Sequence, residues 1–206
     1  MGTALVTGAT SGLGEEFCWQ LAAGGHDLVL VARREQVLEA LADKLRNVAG
    51  VGAQVIAADL STPEGVAAVS RRLDVGGQDG PCGTDGDPGG ARGTEGACRG
   101  TRGSAGGTGE GPERPVDLLV NNAGFGLGRA FVDNSVANEE RGLDVMVRAV
   151  MVLSHHAARS MRSRGRGAVL NIGSVASRTG GGTYSAHKAW VVAFTEGLSE
   201  ELAGTG

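Results

Sequence analysis

Short aliphatic and β-branched runs alternate along this chain with stretches whose apolar residues fall at helical spacing. Nearly continuous apolar runs at 4–7, 28–32, 54–58, 116–121 and 168–172 predict strands. Their lack of polar alternation is what strands covered on both faces require. Between them Leu13, Phe17 and Leu21 recur at helical spacing, as do Leu38, Leu41 and Leu45, so each connection carries an apolar stripe to lay on a sheet. Ser61-Thr62-Pro63-Glu64 predicts the start of a third helix, since a hydroxyl can cap free N–H groups and proline's fixed φ suits a first turn. The pattern predicts a long helix over 139–164 and another over 184–202, the latter made apolar by Ala189, Trp190, Ala193 and Phe194. Strands and helices in this alternation predict a three-layer α/β fold, a Rossmann-type doubly wound parallel sheet of about five strands.

Residues 76–111 interrupt the pattern. They contain no Val, Ile, Leu, Met, Phe, Trp or Tyr, so they have nothing to place in a core. Glycine recurs there near every third position, but the phase slips twice and proline is sparse, which excludes an unbroken collagen register. The expectation is a disordered insertion within one domain spanning 1–206.

At 206 residues with 41% hydrophobic content, the chain suits a single domain with a sizeable core. A net charge of -4 offers no broad cationic field for phosphate backbones, so a nucleic-acid partner is not expected. Met1 runs straight into Gly2-Thr3-Ala4-Leu5-Val6-Thr7 without a basic leader and long apolar core, and no run approaches the roughly 20 apolar residues of a membrane span. A cytoplasmic protein without a membrane partner is expected. Cys18, Cys82 and Cys98 fit neither a disulfide framework nor a metal site and read as free thiols. His155 and His156, being adjacent, point to different helix faces, so no shared metal site is expected, and His187 is expected to face away from Tyr184 and Lys188.

The chemistry begins where the first strand runs into Thr7-Gly8-Ala9-Thr10-Ser11-Gly12-Leu13-Gly14 and a helix follows at once. Glycines allow the tight turn and close approach, and free amides at a helix start attract a pyrophosphate. Arg33 and Arg34 follow the second strand, where dinucleotide folds inspect the adenosine ribose. A carboxylate there accepts the 2′-hydroxyl of NAD, whereas guanidinium groups favour the added phosphate of NADP, so NADP is expected over NAD; the alternative is a solvated basic helix start. Tyr184 and Lys188 are four apart, on one helix face, and an ammonium one turn from a phenol favours the phenolate and fits the tyrosine for acid/base work.

In order along the chain, the turn at Thr7 to Gly14, Asp59-Leu60, Asn121-Asn122-Ala123-Gly124, Ser174 and Tyr184-Ser185-Ala186-His187-Lys188 together resemble the short-chain dehydrogenase/reductase family, whose cofactor motif is TGxxxGxG. The resemblance covers nearly all of the chain except 76–111. It implies a dinucleotide held by Gly8, Ser11, Gly12, Leu13 and Gly14, with Asp59 beside Leu60 at the adenine amino group, and Asn121, Ala123 and Gly124 at the ribose and its supporting sheet. Asp59 also reads as a helix-entry residue, and Asn121 and Asn122 as groups that satisfy a strand end. The resemblance makes Tyr184 the acid/base, Ser174 the donor to a substrate carbonyl oxygen, and Lys188 the grip on the nicotinamide ribose. The implied partner is a small carbonyl or alcohol, and the implied assembly a homodimer or homotetramer.

Two departures stand out. Leu143-Asp144-Val145-Met146-Val147 puts Met146 where the family places an asparagine that extends a proton relay, and a thioether cannot donate a hydrogen bond. The chain also stops after the last predicted helix, where family members continue, so the fifth strand is expected to be an exposed edge. Three readings stay open at this point: a working NADP-dependent carbonyl reductase or alcohol dehydrogenase, a catalytically silent nucleotide-binding module, and a fragment of such an enzyme.

Overall fold

The computed structural model describes residues 2–77 and 113–205. The strands are β1 (Thr3–Thr7), β2 (Asp27–Ala32), β3 (Ala53–Ala57), β4 (Val116–Asn121) and β5 (Ala168–Asn171), each within a residue or so of its expected span. They form one sheet in the order β3-β2-β1-β4-β5, and every pairing is parallel. The helices between them are α1 (Gly12–Ala23), α2 (Glu35–Ala49), α3 (Pro63–Leu73), α4 (Val136–Leu143), α5 (Ala149–Arg164) and α6 (Thr183–Glu201). The doubly wound reading of the sequence therefore holds. Strand order reverses direction beside β1, and in such sheets ligands bind outside the carboxyl ends of the strands at that reversal.

Alternation along each strand divides the core into two layers. Ala4, Val6, Leu28 and Leu30 pack with Leu38, Leu41 and Leu45 under α1 and α2. Leu5, Val29, Val31 and Leu119 pack on the other face with Val69, Leu73, Leu153 and Met161 from α3 and α5. Each fully buried leucine contributes about 1.5–3 kcal/mol, and the stripe expected on α2 is the one the fold uses.

The stripe on α1 is different. Its buried residues are Gly14, Cys18 and Ala22, with Phe17 and Leu21 only partly covered and Leu13 54% exposed. A Cβ on Gly14 would stand 2.1 Å from the Gly8 carbonyl oxygen, so the helix must press small residues against the turn. Cys18 is consequently sealed: burial, reinforced by the charge of Glu15, pushes its thiol up to about 12. Cys82 and Cys98 lie outside the described residues.

At α3 the expected cap is present, and Thr62 accepts a hydrogen bond from the Gly65 N–H at 3.1 Å while Pro63 occupies the first turn. The helix ends in a turn through Gly76 and Gly77, where Gly77 N–H bonds to Asp74 at 3.1 Å; the rest of the 76–111 insertion lies outside the described residues. The helix expected over 139–164 starts earlier, at Val136, because Ser135 accepts from the Asn138 N–H at 3.3 Å. It is also not uniform, since Asp144–Arg148 form a π turn between α4 and α5. Such turns add a residue to one helical cycle and rotate the side chains that follow. Met146 lies in it, 1% exposed, beside Gly124.

A polar chain ties the β5 side together. Asn121 Nδ2 donates to Ser154 Oγ at 3.1 Å and to Asn171 Oδ1 at 2.9 Å, and Asn171 Nδ2 donates to Thr195 Oγ1 at 3.0 Å. It links β4, α5, β5 and α6 through groups whose burial would cost energy if they were left unpaired. β5 is the outer strand of the sheet, and Leu170 on it is 40% exposed. No helix of the described residues is long and apolar enough to cross a membrane.

Candidate functional site

The turn between β1 and α1 is built around Thr7. Its hydroxyl donates to the Val120 carbonyl at 3.3 Å and accepts from the N–H groups of Asn122 at 3.0 Å and Ala123 at 3.1 Å. Asn122 returns the link, donating through Nδ2 to the carbonyls of Thr7 at 3.1 Å and Gly8 at 3.3 Å. The start of the glycine turn and the end of β4 are thereby one unit. Gly8 has φ of +69° and leaves no room for a Cβ against Asn122 and Ala123. Gly12 has φ of +46°, but a Cβ there would meet nothing within 4 Å, so open space lies in front of the helix start. The Ser11 side chain does not cap α1. This combination fits a pyrophosphate, which needs room, a close backbone and amides not already satisfied by a side chain.

Beside that turn lies a cavity of about 240 Å³. Its lining includes Gly8 and Ser11 from the turn, Arg33 and Arg34 after β2, Asp59 and Leu60 after β3, and Ala123 and Gly124 after β4. Eight residues singled out in the sequence thus meet in one space. Gly12, Leu13 and Gly14 shape the turn but are not in the lining. Asn121 is not there either: it is 4% exposed and spends its amide on Ser154 and Asn171, so its side chain holds the sheet beneath the cavity.

Asp59 lines the cavity and also serves as the helix-entry residue. Its Oδ1 accepts from the Ser61 N–H at 2.9 Å and the Ser61 hydroxyl at 2.7 Å, which orders the entry to α3. Burial works to raise its pKa, but the Ser61 hydrogen bonds and the charges of Arg33 and Arg141 outweigh it and hold the carboxyl below the ordinary range. Neither Arg33 nor Arg34 is paired with a carboxylate among the described residues, although both line the cavity.

Thr10, Asn122, Phe125, Arg141 and Val145 also line this cavity and were not among the expected binding residues. Asn122 was legible, being part of the Asn121-Asn122-Ala123-Gly124 run. Arg141 and Val145 carry only a helical i, i+4 spacing, which any helix supplies.

The catalytic candidates follow β5 and open α6, and none of the three is in the cavity lining. Ser174 caps the 3-10 turn Val175–Arg178, accepting from the Ala176 N–H at 3.2 Å, and that turn packs against α6. Tyr184 is half-buried in the first turn of α6, packed on the core layer that holds Met146. Lys188, 6% exposed, donates through Nζ to the Ile172 carbonyl at 2.7 Å, and burial pulls its ammonium below the usual lysine range.

The entry to α6 is fixed from α4. The Thr183 hydroxyl donates to Glu139 Oε2, and Asn134 Nδ2 donates to Glu139 Oε1 at 2.6 Å. His187 is 7% exposed against Gly142 of α4, and its Nδ1 has no hydrogen-bond partner among the described residues. His156 lies elsewhere, with Nδ1 2.8 Å from Asp74 Oδ1.

Residues 2–76 and 111–206 match the short chain dehydrogenase family. The chain is 30% identical to the 7beta-hydroxysteroid dehydrogenase of Collinsella aerofaciens, a match that takes in 98% of this chain and 64% of that protein. It is also 30% identical to the NADP-dependent 3-hydroxy acid dehydrogenase of Salmonella typhi, over 98% of this chain and 66% of that one. The chain thus spans less than two thirds of the length of either relative. Among solved structures it resembles a short-chain dehydrogenase from Sphingobium yanoikuyae in complex with NADPH, with a TM-score of 0.79 and 32% identity over all of this chain and 67% of that one. The bulky-bulky ketone specific alcohol dehydrogenase from Comamonas testosteroni superposes with a TM-score of 0.80 and 30% identity, over 100% of this chain and 69% of that one. By sequence motifs, sheet order and these matches alike, the chain belongs to the short-chain dehydrogenase family.

Proposed function

We propose that this chain binds NADP(H) and interconverts a small carbonyl and its alcohol, with Tyr184 as acid and base. The observation that carries the reading is the cavity in which the β1–α1 turn, Asp59, Arg33 and Arg34 meet, neither arginine forming a salt bridge among the described residues. Arg33 and Arg34 favour the 2′-phosphate that distinguishes NADP from NAD. The relative named as NADP-dependent and the similar structure solved in complex with NADPH support that choice.

A dinucleotide held by the β1–α1 turn would supply the hydride that the carbonyl carbon receives. The chain's own groups handle the oxygen, toward which the C=O π electrons move. Ser174 already accepts from Ala176 N–H, so its hydroxyl proton is left to donate to that oxygen as negative charge develops. Tyr184 gives the proton, and in the reverse direction it takes one. Lys188 uses one N–H on Ile172, which fixes the ammonium at the strand end and leaves two for ribose hydroxyls and the tyrosine side.

Met146 supports a second reading, a module that binds the dinucleotide without turnover, because a buried thioether stands where a relay donor is expected. Titration with NADPH, followed by nicotinamide fluorescence and a screen of aldehydes and ketones, separates the two. The expected outcome is binding with turnover, and Tyr184→Phe then lowers turnover by at least about 100-fold while leaving NADPH affinity within about threefold. Binding without turnover for any substrate selects the silent module, and a Tyr184→Phe enzyme as active as the parent removes Tyr184 from the chemistry.

A further inference from the structure

Arg141 is a charged cavity residue whose contribution the glycine turn, the strand ends and the motif order do not account for. It comes from α4, on the β4 side of the sheet, whereas Arg33 and Arg34 come from the β2 side. Its guanidinium carbon lies 5.0 Å from the centroid of the Phe125 ring, and Val145, one turn further along, lines the same cavity. Among the described residues no carboxylate forms a salt bridge with it. An arginine placed over an aromatic ring at the wall of a cavity is held for a purpose other than ion pairing within the chain.

Its neighbours decide what that purpose is. A phosphate is recognised by convergent N–H donors, and the arginines after β2 stand where a ribose phosphate is inspected. Arg141 lines the cavity with the apolar Leu60 and Val145 and lies over the Phe125 ring, and its charge, like that of Arg33, reaches Asp59, the residue the family likeness places at the adenine amino group. Apolar side chains and a planar cation suit the flat, π-rich face of a purine. We infer that Arg141, braced on Phe125, is an adenine clamp that grips the base of the dinucleotide without reading its 2′-phosphate. The clamp rests on the dinucleotide reading above.

NADPH, NADH and reduced nicotinamide mononucleotide, which has no adenosine, separate the possibilities in direct binding titrations that need no turnover. Arg141→Ala weakens NADPH and NADH by the same factor, about 3- to 30-fold, the range of a cation–π contact. Binding of the mononucleotide stays unchanged. Arg141→Lys, which keeps the charge and loses the plane, weakens both dinucleotides as well. A change in the NADPH-to-NADH ratio would make Arg141 a phosphate reader and overturn the clamp. Unchanged dinucleotide affinity would overturn it too, as would an equal loss for the mononucleotide, which would mark general damage to the site. If the unaltered chain binds neither dinucleotide, the proposed function itself fails and takes the clamp with it.

Discussion

Arg33 sits where β2 gives way to α2, exposed, facing the cavity and without a carboxylate partner among the described residues. A charge-assisted hydrogen bond contributes about 1.5–3 kcal/mol, and putting a carboxylate in its place adds repulsion toward a phosphate. Arg33→Asp is therefore expected to lower the ratio of NADPH to NADH affinity by roughly 10- to 100-fold. Parallel equilibrium titrations measure it, and an unaltered ratio would return Arg33 to the role of a solvated helix start. Its place at the cavity could be read from the sequence because that place depends on a strand end, and strand ends follow from local hydrophobic pattern. Gly8 and Gly14 were legible for a related reason: only glycine fits where a Cβ would strike Asn122 or the Gly8 carbonyl. Arg141 was not, since nothing local marks one arginine on a helix for a cavity shared with residues more than a hundred positions earlier.

The sequence pattern located helices well but not their irregularities. The Asp144–Arg148 π turn and the small-residue face of α1 both sit at tertiary contacts, Met146 against Gly124 and Gly14 against Gly8, which periodicity does not register. The joint between α4 and α6 is another such contact, and it carries a pH dependence. Burial lowers the His187 pKa, and Glu139 only partly opposes this. The folded chain therefore binds fewer protons at His187 than the unfolded chain, so stability falls as pH drops through the ordinary imidazole value of about 6.5. Glu139 acts in the same direction lower down. The Thr183 hydroxyl, then Asn134 and His187, hold its pKa below the usual carboxylate value, and its contribution is lost as pH falls through that depressed value. His187→Leu removes the imidazole with its unpaired Nδ1 and is expected to flatten the change in melting temperature between about pH 7.5 and 5.5. Melts across that range test it, and an equal slope in both proteins would move the acid sensitivity elsewhere.

Across the whole molecule, the cavity draws its walls from the β1–α1 turn, the ends of β2 and β3, the segment after β4 and helix α4. These segments are far apart in sequence and adjacent only because strand order places β1 between β2 and β4. A ligand seated there contacts both halves of the sheet and binds the folded chain alone, so it must stabilise the fold by mass action. At 100 times its dissociation constant the gain is about 2.7 kcal/mol. For a chain of this size each kcal/mol shifts the midpoint by about 2–4 °C, so saturating NADPH is expected to raise the melting temperature by about 5–11 °C. Gly14→Ala supplies the contrast. Its Cβ would stand 2.1 Å from the Gly8 carbonyl, forcing the helix start away from the turn. The midpoint without ligand should therefore fall, and the increment on adding NADPH should largely vanish. Equal increments in parent and variant would separate the stabilising site from the β1–α1 turn, because no displacement of that helix start leaves a pyrophosphate its amides.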